Sequence, residues 1–354
     1  MNNFIKAVVA AVGISVCGSS AIAESINVTL SGGNPSGLWS LLGAGIDRAV
    51  KADDPSGVVT YQATGGGFAN IGLLGANRTD LGLAHDAEIK LALAGDDPFK
   101  APISNLQAIG YMYNWAPMHF FIKKSLADEY GIDSIDDLAK SGAAIRVANN
   151  NAGNIVANIT TFMLDEAGYD EATIEANGGV LVRGGSSQQA DLISDGRTDM
   201  VINGIFVGHS SFRKVDEGND VVLLSVPQDI IEKTNERFGT GLYTIPGGSY
   251  KNQADDIVTL ALGAMVITSD TLPEETGYML AKSIASNINE VRGVHNAIVN
   301  GGVKTGHGAE QKSATLDAGM KPAGGRSPSG GLIPALRFSE GFQPAFRARL
   351  WARR

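Results

Sequence analysis

One unit recurs along this sequence and constrains its fold more than any other feature. Each unit has a short β-rich run, then a glycine-rich or polar loop, then a segment with the helical spacing of apolar residues. The runs are "INVTL", "GVVTYQA" and "TDLGLA" in the first half, and "AAIRVA", "GVLV" and "DMVI" in the second. This alternation predicts an α/β fold with two mostly parallel sheets flanked by helices.

Two apolar segments are expected to carry the chain between the two sheets. Residues 118–124, "MHFFIKK", have the pattern of an extended crossover, and residues 257–268, "IVTLALGAMVIT", bring the chain back. The predicted first lobe is residues 24–116 plus 265–320, and the predicted second lobe is residues 117–264.

Helical spacing is clearest directly after the first loop. The face of this helix that packs on the sheet is expected to contain Leu38, Leu41, Leu42, Ile46, Ala49 and Val50. Further helices are predicted through "SIDDLAK", with Ser134 as the cap, and through "LPEETGYMLAKSIASNINEVRGV".

The first 23 residues have the pattern of a cleaved export signal. Lys6 precedes an apolar run that is too short to span a bilayer, and "AIA" stands before Glu24, the expected start of the mature chain. Cys17, the only cysteine, lies inside this segment; a lipid-anchored cysteine is the alternative. Export predicts a periplasmic mature chain that does not insert directly into the membrane. Because cleavage removes the only cysteine, this chain is expected to have no disulfide, no thiolate zinc site and no cysteine nucleophile.

Charge is distributed unevenly along the chain. Residues 321–354 have seven Lys or Arg and one Glu, which is a net charge of +6, and Lys6 adds +1. Since the formal net charge of the whole chain is −9, residues 24–320 have a net charge of −16. An acidic body argues against a nucleic-acid partner, because phosphates require a basic face. The basic tail, residues 321–354, is predicted to be disordered; a tail that touches a membrane or a partner is the alternative.

The stretch "SGGNPSGLWSLLGAGI" begins at Ser31 and resembles two nucleotide-binding loops without matching either. Leu38 and Trp39 stand where a P-loop requires Lys and then Ser or Thr, and the glycine spacing is not that of a dinucleotide fingerprint. In an open parallel sheet such loops converge at the carboxyl ends of the strands and lead into helix N-termini, which can hold a small carboxylate without Lys or Arg. A tight turn without any ligand is the simpler interpretation of each single loop.

Several polar residues allow both a functional and a structural interpretation. His85 and Asp86 could form an acid–base dyad, contact a ligand or cap a helix, but no nucleophile motif accompanies them. Arg183 could clamp a carboxylate or form a salt bridge. The histidines lack metal-ligand spacing, so no metal and no cofactor is predicted.

Four motifs resemble the TAXI-type solute receptors, the periplasmic subunits of one class of TRAP transporters. They are "SGGNPSGLWS", "VTYQATGGGFANIGLL" with "RTDLGLAHD", "SDGRTDMVINGI", and "YTIPGGSYKNQADDIVTLALGAMVIT", in the order of that family. The resemblance covers residues 26–319. It implies a two-lobed type II periplasmic-binding-protein fold, or Venus flytrap, with no catalytic residues.

The resemblance also implies a ligand and a partner. The ligand would be a small organic acid or amino acid, glutamate-like or 2-oxoglutarate-like, and the partner a membrane permease. The predicted ligand-binding residues of the first lobe are Ser31, Gly32, Gly33, Asn34, Ser36, Gly37, Leu38, Trp39, Thr64, Gly65, Gly66, Phe68, His85 and Asp86. Those of the second lobe are Asn150, Asn151, Gly153, Asn154, Arg183, Ser186, Ser187, Gln188, Asn203, Gly204 and Ile205.

The sequence departs from the family pattern at three places. "NAGN" at Asn151 to Asn154 replaces G-S-G-T, and Leu38 and Trp39 replace paired tyrosines. These two changes touch the predicted pocket and put the usual ligand in doubt. Near the end of the matching region, "HGA" at His307 replaces H-P-G-A. A secreted α/β enzyme that uses His85 and Asp86 as acid and base, and a solute sensor without transport, are the alternative functions.

Overall fold

The structure is a computed structural model that describes residues 25–35, 37–295 and 298. The predicted export signal, candidate residue Ser36, His307 and the basic tail lie outside these residues.

The three β-loop-α units predicted for the first half are all present. In chain order they are β1 (Asn27–Ser31), α1 (Leu38–Asp53), β2 (Val58–Gln62), α2 (Gly67–Gly75), β3 (Leu81–His85) and α3 (Asp86–Ala94). Strands β1 and β2 pair in parallel, and so do β1 and β3, so these three strands end on the same edge of the sheet.

The second half follows a long strand and repeats the alternation. Its elements begin with β4 (Leu106–Lys123), α4 (Lys124–Tyr130), α5 (Asp137–Ser141), β5 (Arg146–Asn149), α6 (Ile155–Glu166), α7 (Glu171–Ala176), β6 (Val180–Arg183), α8 (Ser186–Ser194) and β7 (Met200–Gly204). They continue with α9 (Ser210–Gly218), β8 (Val221–Leu223), α10 (Gln228–Phe238), β9 (Gly241–Ile245), β10 (Ile257–Ser269), α11 (Glu274–Ser286) and α12 (Ile288–Arg292). Strands β6 and β7 each pair in parallel with β5.

The strands form one mixed sheet in the order β2-β1-β3-β10-β4-β7-β5-β6, with β8 paired to β4 and β9 paired to β10. The predicted α/β fold is confirmed, but the sheet is mixed rather than mostly parallel. Strand β10 is antiparallel to β3 and β4, and β4 is antiparallel to β7. Strands β4 and β10 are antiparallel because they cross between the two halves of the sheet in opposite directions.

Strand β4 belongs to both halves of the sheet. Up to Pro117 it pairs with β10, and from Met118 onwards it pairs with β7 and β8. Strand β10 likewise pairs with β9 at its start and with β3 and β4 further along. The two segments predicted to cross between the sheets therefore lie in β4 and β10, except that Lys124 begins α4.

Local packing differs from the sequence prediction on α1. Leu42, Ile46, Ala49 and Val50 are fully buried as predicted, but Leu41 is 39% exposed. Leu41 lies about 100° around the helix from Leu42 and so falls outside the apolar stripe.

Two helix ends also differ from the prediction. Ser134 does not cap α5, because it forms a β-bridge with Ser225 and the helix starts after Asp136. The predicted C-terminal helix is divided at Asn287, whose side-chain amide donates to Ala49 O at 3.1 Å and to Asp53 Oδ1 at 3.0 Å. Asn287 thus contacts α1 at the point where α11 ends and α12 begins.

Two glycine-to-alanine substitutions, one at Gly45 and one at Gly72, test the packing of α12 on α1. A Cβ at Gly45 would lie 2.9 Å from Val291 Cα, whereas a Cβ at Gly72 in α2 meets nothing within 4 Å. We expect Gly45→Ala to lower the free energy of unfolding by about 1 kcal/mol, because overpacking costs about 1–3 kcal/mol and exceeds the gain in helix propensity. Gly72→Ala is the matched control and should raise it by up to about 1 kcal/mol. Urea unfolding measures both, and equal effects would contradict the close approach of α12.

Candidate functional site

Loops of the first half meet at the carboxyl ends of β1 and β3. Gly32 O accepts a hydrogen bond from Asn70 Nδ2 at 2.9 Å, and the Thr64 hydroxyl lies 2.5 Å from the same oxygen. Asn70 Nδ2 also donates to Leu83 O at 2.7 Å. The buried side chain of Asn70, which was not among the predicted residues, therefore holds the first two candidate loops together.

The beginning of the first loop is closed by protein contacts. Ser31 is buried and its hydroxyl donates to Thr79 Oγ1 at 2.9 Å, while Gly33 N donates to the Tyr61 hydroxyl at 2.7 Å. A side chain at Gly32 would overlap the Tyr61 ring. The glycine is therefore required here for packing against Tyr61.

The end of the same loop leaves the start of α1 available. Gly37 is the N-cap and has no side chain to form a capping hydrogen bond, and the first turn has no acidic residue. Leu38 and Trp39, the first two residues of the helix, are partly exposed. Amides without helical partners at the start of a 16-residue helix can attract an anion.

The starts of α2 and α3 lie beside a carboxylate of the protein itself. Glu88 is 3% exposed, its Oε2 accepts a hydrogen bond from His85 N at 2.8 Å, and a Cβ at Gly67 would lie 1.7 Å from the same oxygen. Gly66 precedes Gly67 as the N-cap of α2, with a φ of 105° that favours glycine. A second anion at this end would meet the Glu88 charge, which argues against an anion site in the second loop.

The other candidates of the second loop have different surroundings. Gly65 is exposed, and the partly exposed Phe68 packs against Phe99 with ring centroids 5.8 Å apart.

His85 is hydrogen-bonded to Glu88 rather than to Asp86. Its Nδ1 lies 3.2 Å from Glu88 Oε2, whereas Asp86 accepts from the amides of Ala87 at 2.9 Å and Gly263 at 3.0 Å. Burial raises the pKa of Asp86 from 3.8 to about 7, although the neighbouring His85 opposes this shift. The acid–base dyad of the enzyme hypothesis is therefore not assembled.

In the second half of the site, amide side chains are hydrogen-bonded to one another. Asn150 Nδ2 donates to Asn203 Oδ1 at 3.1 Å, and Asn203 Nδ2 donates to Gln189 Oε1 at 3.1 Å. Gln189, fully buried and absent from the predicted set, donates in turn to Ile202 O at 3.2 Å. These hydrogen bonds bring Asn150 and Asn203 together in a group of uncharged polar side chains.

Residues next to these amide side chains shape the backbone. Gly153 has a φ of 79°, and Asn154 caps α6 by accepting from Val156 N at 2.8 Å. Gly204 N donates to Asn203 Oδ1 at 2.9 Å, and Ile205 N donates to Pro117 O at 3.2 Å. Asn151 and Asn34 are exposed.

The start of α8 has the same character as the start of α1. Gly185 is its N-cap without a side-chain hydrogen bond, and the first turn, which contains Ser186, Ser187 and Gln188, has no acidic residue. Arg183 is exposed and forms an ion pair with Glu171, 3.4 Å between Nη2 and Oε2. The salt-bridged alternative for Arg183 is thus the one observed.

Four aromatic residues form a continuous aromatic row, defined as Trp39, Tyr113, Trp115 and Phe206. Trp39 Nε1 donates to Tyr113 OH at 3.0 Å, and the ring centroids of Tyr113 and Trp115 are 4.8 Å apart. Trp115 meets Phe206 edge-on at 5.6 Å. Only Trp39 was predicted; the alternation in "YMYNW" of β4 is the sequence signal that places Tyr113 and Trp115 on one face.

A surface groove of about 730 Å³ lies elsewhere, around Lys124, Asp216 and Tyr250. Its charged groups already have partners: Lys124 pairs with Asp128, and Asp216 accepts from Lys251 N. We therefore place the candidate site at the loops and not at this groove.

Among the residues that the structure describes, no three His, Cys, Asp or Glu side chains are grouped as metal ligands. None of the helices in the described part of the chain is long and apolar enough to cross a membrane.

Residues 30–320 match the NMT1-like family. The chain belongs to the NMT1-like family. The matched region contains both halves of the site and ends where the basic tail begins. No match was found among curated proteins.

Solved structures are similar to this NMT1-like protein. PhnD1 from Prochlorococcus marinus, in complex with methylphosphonate, has a TM-score of 0.50 and 12% identity, with 81% of this chain and 94% of that chain covered. A TctC solute-binding protein from Polaromonas has a TM-score of 0.46 and 11% identity, with 79% of this chain and 90% of that chain covered. The aliphatic sulphonate binding protein SsuA from Escherichia coli has a TM-score of 0.45 and 12% identity, with 78% of this chain and 75% of that chain covered. The likeness to PhnD1 shows a common α/β fold, and identities this low say nothing about the ligand.

Asp86 should make the stability of the protein fall as the pH rises from about 4 to 7. The pKa of Asp86 is about 7 in the folded protein and 3.8 ordinarily, so in this window the folded state keeps a proton that the unfolded state has lost. The stabilisation from this proton is complete below pH 3.8 and is lost above about pH 7. Relative to Asp86→Asn, the wild type should lose up to about 1.4 kcal/mol per pH unit in urea unfolding. Parallel pH profiles of the two proteins would contradict the assignment.

Proposed function

We propose that this protein is an extracytoplasmic receptor that binds a small organic anion and delivers it to a membrane permease. Membership of the NMT1-like family and the fold shared with PhnD1 support a solute-binding protein. The four motifs that resemble TAXI-type receptors support the narrower proposal of a TRAP-type transporter and a glutamate- or 2-oxoglutarate-like carboxylate. Export by residues 1–23 would place the mature chain in the periplasm.

One observation carries the proposal: α1 and α8 both begin at an N-cap glycine, which has no capping side chain of its own, and neither has an acidic residue in the first turn. The two helices follow β1 and β6, which belong to different halves of the sheet. Each start has roughly half a positive charge, which suits a small anion. PhnD1, which has this fold, was solved with the small anion methylphosphonate, and this supports the same class of ligand here.

The two halves are proposed to act as lobes that close on the ligand. Residues 24–116 plus 265–320 would form one lobe and residues 117–264 the other, with β4 and β10 as the hinge. Binding favours the closed state because only there do groups of both lobes contact the ligand.

Two alternatives make different predictions. An enzyme would require a working pair of His85 and Asp86, but His85 is hydrogen-bonded to Glu88. A sensor without transport would share the binding site, and genes for a large multi-span permease beside this one would favour transport.

Binding of an organic acid can be tested by thermal unfolding. At a concentration of one hundred times Kd, a ligand should stabilise the mature protein by about 2.7 kcal/mol. The panel includes L-glutamate, 2-oxoglutarate, succinate and benzoate, together with mass spectrometry of any ligand that copurifies. The absence of both a stabilising acid and a copurified acid would contradict the proposal.

The start of α8 can be tested separately with Ser187→Asp. The new carboxylate favours the helix itself but opposes a bound anion, so the free protein should stay folded while the acid identified above binds about fivefold more weakly, roughly 1 kcal/mol. Ser187→Asn, of nearly equal size and without the charge, is the matched control. Isothermal titration calorimetry measures both variants, and unchanged affinity in Ser187→Asp would remove α8 from the site.

A further inference from the structure

A lysine of the first half contacts the end of a helix of the second half. Lys90 belongs to α3, and its Nζ donates a hydrogen bond to Glu236 O in the last turn of α10. Carbonyl groups in the last turn of a helix have no helical partner, and the helix dipole has its negative pole there. A lysine ammonium group is therefore favourable at this position.

The side chain of Lys90 lies closely against the residue that ends α10. This residue is Gly239, whose φ of 67° is left-handed and whose amide donates to Asn235 O at 2.7 Å. A Cβ at Gly239 would lie 2.8 Å from Lys90 Cδ. Burial lowers the pKa of Lys90, and the neighbouring Glu236 opposes this shift. The contact thus includes both the charged group of the lysine and its apolar stem.

Each of the two helices is packed within its own half. On α10, Phe238 is 4% exposed and meets Phe162 of α6 edge-on, with ring centroids 5.5 Å apart. On α3, Ala87 and Leu91 are buried in the core. In the proposed receptor α3 belongs to the first lobe and α10 to the second. Separation of the lobes would therefore break the contact between Lys90 and α10.

Aromatic rings also meet between the two halves. Phe206, in the loop after β7, meets Trp115 of β4 edge-on at 5.6 Å, and its centroid lies 5.6 Å from that of His295. His209 packs on the same ring at 5.0 Å. This structure therefore has the two halves in contact through rings as well as through Lys90.

We infer that Lys90 holds the two lobes of the proposed receptor in the closed arrangement by binding the carboxyl end of α10. The inference rests on the proposed function, because it requires halves that close and separate. It does not depend on the ligand, since neither Lys90 nor Gly239 is a candidate site residue. When the lobes separate, water replaces Lys90 at the carbonyl group of Glu236. One cation at a helix end changes an equilibrium by about two- to fivefold, so the contact favours closure without preventing opening.

Pulsed EPR on residues 24–354 tests the inference without a ligand. These residues contain no cysteine, so nitroxide labels can be attached at Ala94→Cys in α3 and Glu232→Cys in α10, both exposed. We expect Lys90→Met to raise the ratio of long to short distances between the labels about two- to fivefold, because Met has no charge and no donor. Lys90→Arg keeps both and should match the labelled parent.

Lys51→Met is the matched control for the loss of a lysine. Lys51 pairs with Asp47 on the same helix, 2.7 Å between Nζ and Oδ2, and should leave the distances unchanged. An unchanged distribution in a folded Lys90→Met variant would overturn the inference, as would long distances that already predominate in the parent. An equal shift in Lys51→Met would also overturn it, because the effect would then follow net charge. Thermal unfolding with acids and mass spectrometry of a copurified ligand decide separately whether the protein is a receptor.

Two substitutions at helix ends test the same contact from the side of α10. Gly239→Ala and Gly131→Ala each place a Cβ at a C-cap with nearly the same φ, 67° and 64°, so both introduce similar backbone strain. The new Cβ would meet Lys90 at Gly239 and nothing within 4 Å at Gly131. We expect long distances to increase in Gly239→Ala alone, and the same distribution in both folded variants would overturn the inference.

Discussion

The antiparallel pairing of β4 with β10 is the interaction on which the remaining structure depends. The two strands pair from Pro117 and Ala261 to Leu106 and Ser269, and each then continues into a different part of the sheet. Both halves of the protein are thus joined by backbone hydrogen bonds of one long strand pair, which has register shifts between Leu262 and Ile267. After Pro117, β4 changes its partner from β10 to β7 and β8.

Buried polar contacts reinforce this junction. Thr259 Oγ1 donates to Met118 O at 3.1 Å, and the Tyr250 hydroxyl lies 2.8 Å from His119 Nε2. Burial lowers the pKa of His119 to about 3, so the imidazole is neutral at ordinary pH and its Nδ1 donates to Pro117 O at 2.9 Å. The neutral ring therefore joins the crossing strand to the segment between β9 and β10 without the cost of a buried charge.

The electrostatics of the site follow from which helix ends already have an anion nearby. Glu88 lies beside the start of α2 and belongs to the capping box of α3, and Asp86 accepts hydrogen bonds from Ala87 and Gly263. Both acids are buried, so they act on their surroundings with little screening by water. The starts of α1 and α8 differ in having a glycine N-cap and no acid in the first turn. These two helix starts are therefore the positions proposed for a small anion on an otherwise acidic protein.

The sequence alone determined the order of the β-loop-α units and the strand at residues 257–268, because apolar periodicity and glycine-rich turns are local properties of the chain. It also placed candidate loops at strand ends, where parallel pairing brings them to one edge. Only the tertiary structure decided that His85 contacts Glu88, that Asn70 ties the loops together and that Trp39, Tyr113, Trp115 and Phe206 are adjacent. Such contacts depend on the register of strands that are distant in the chain: Asp86 and its partner Gly263 are 177 positions apart. No local pattern encodes that register, since it arises from the packing of the whole sheet.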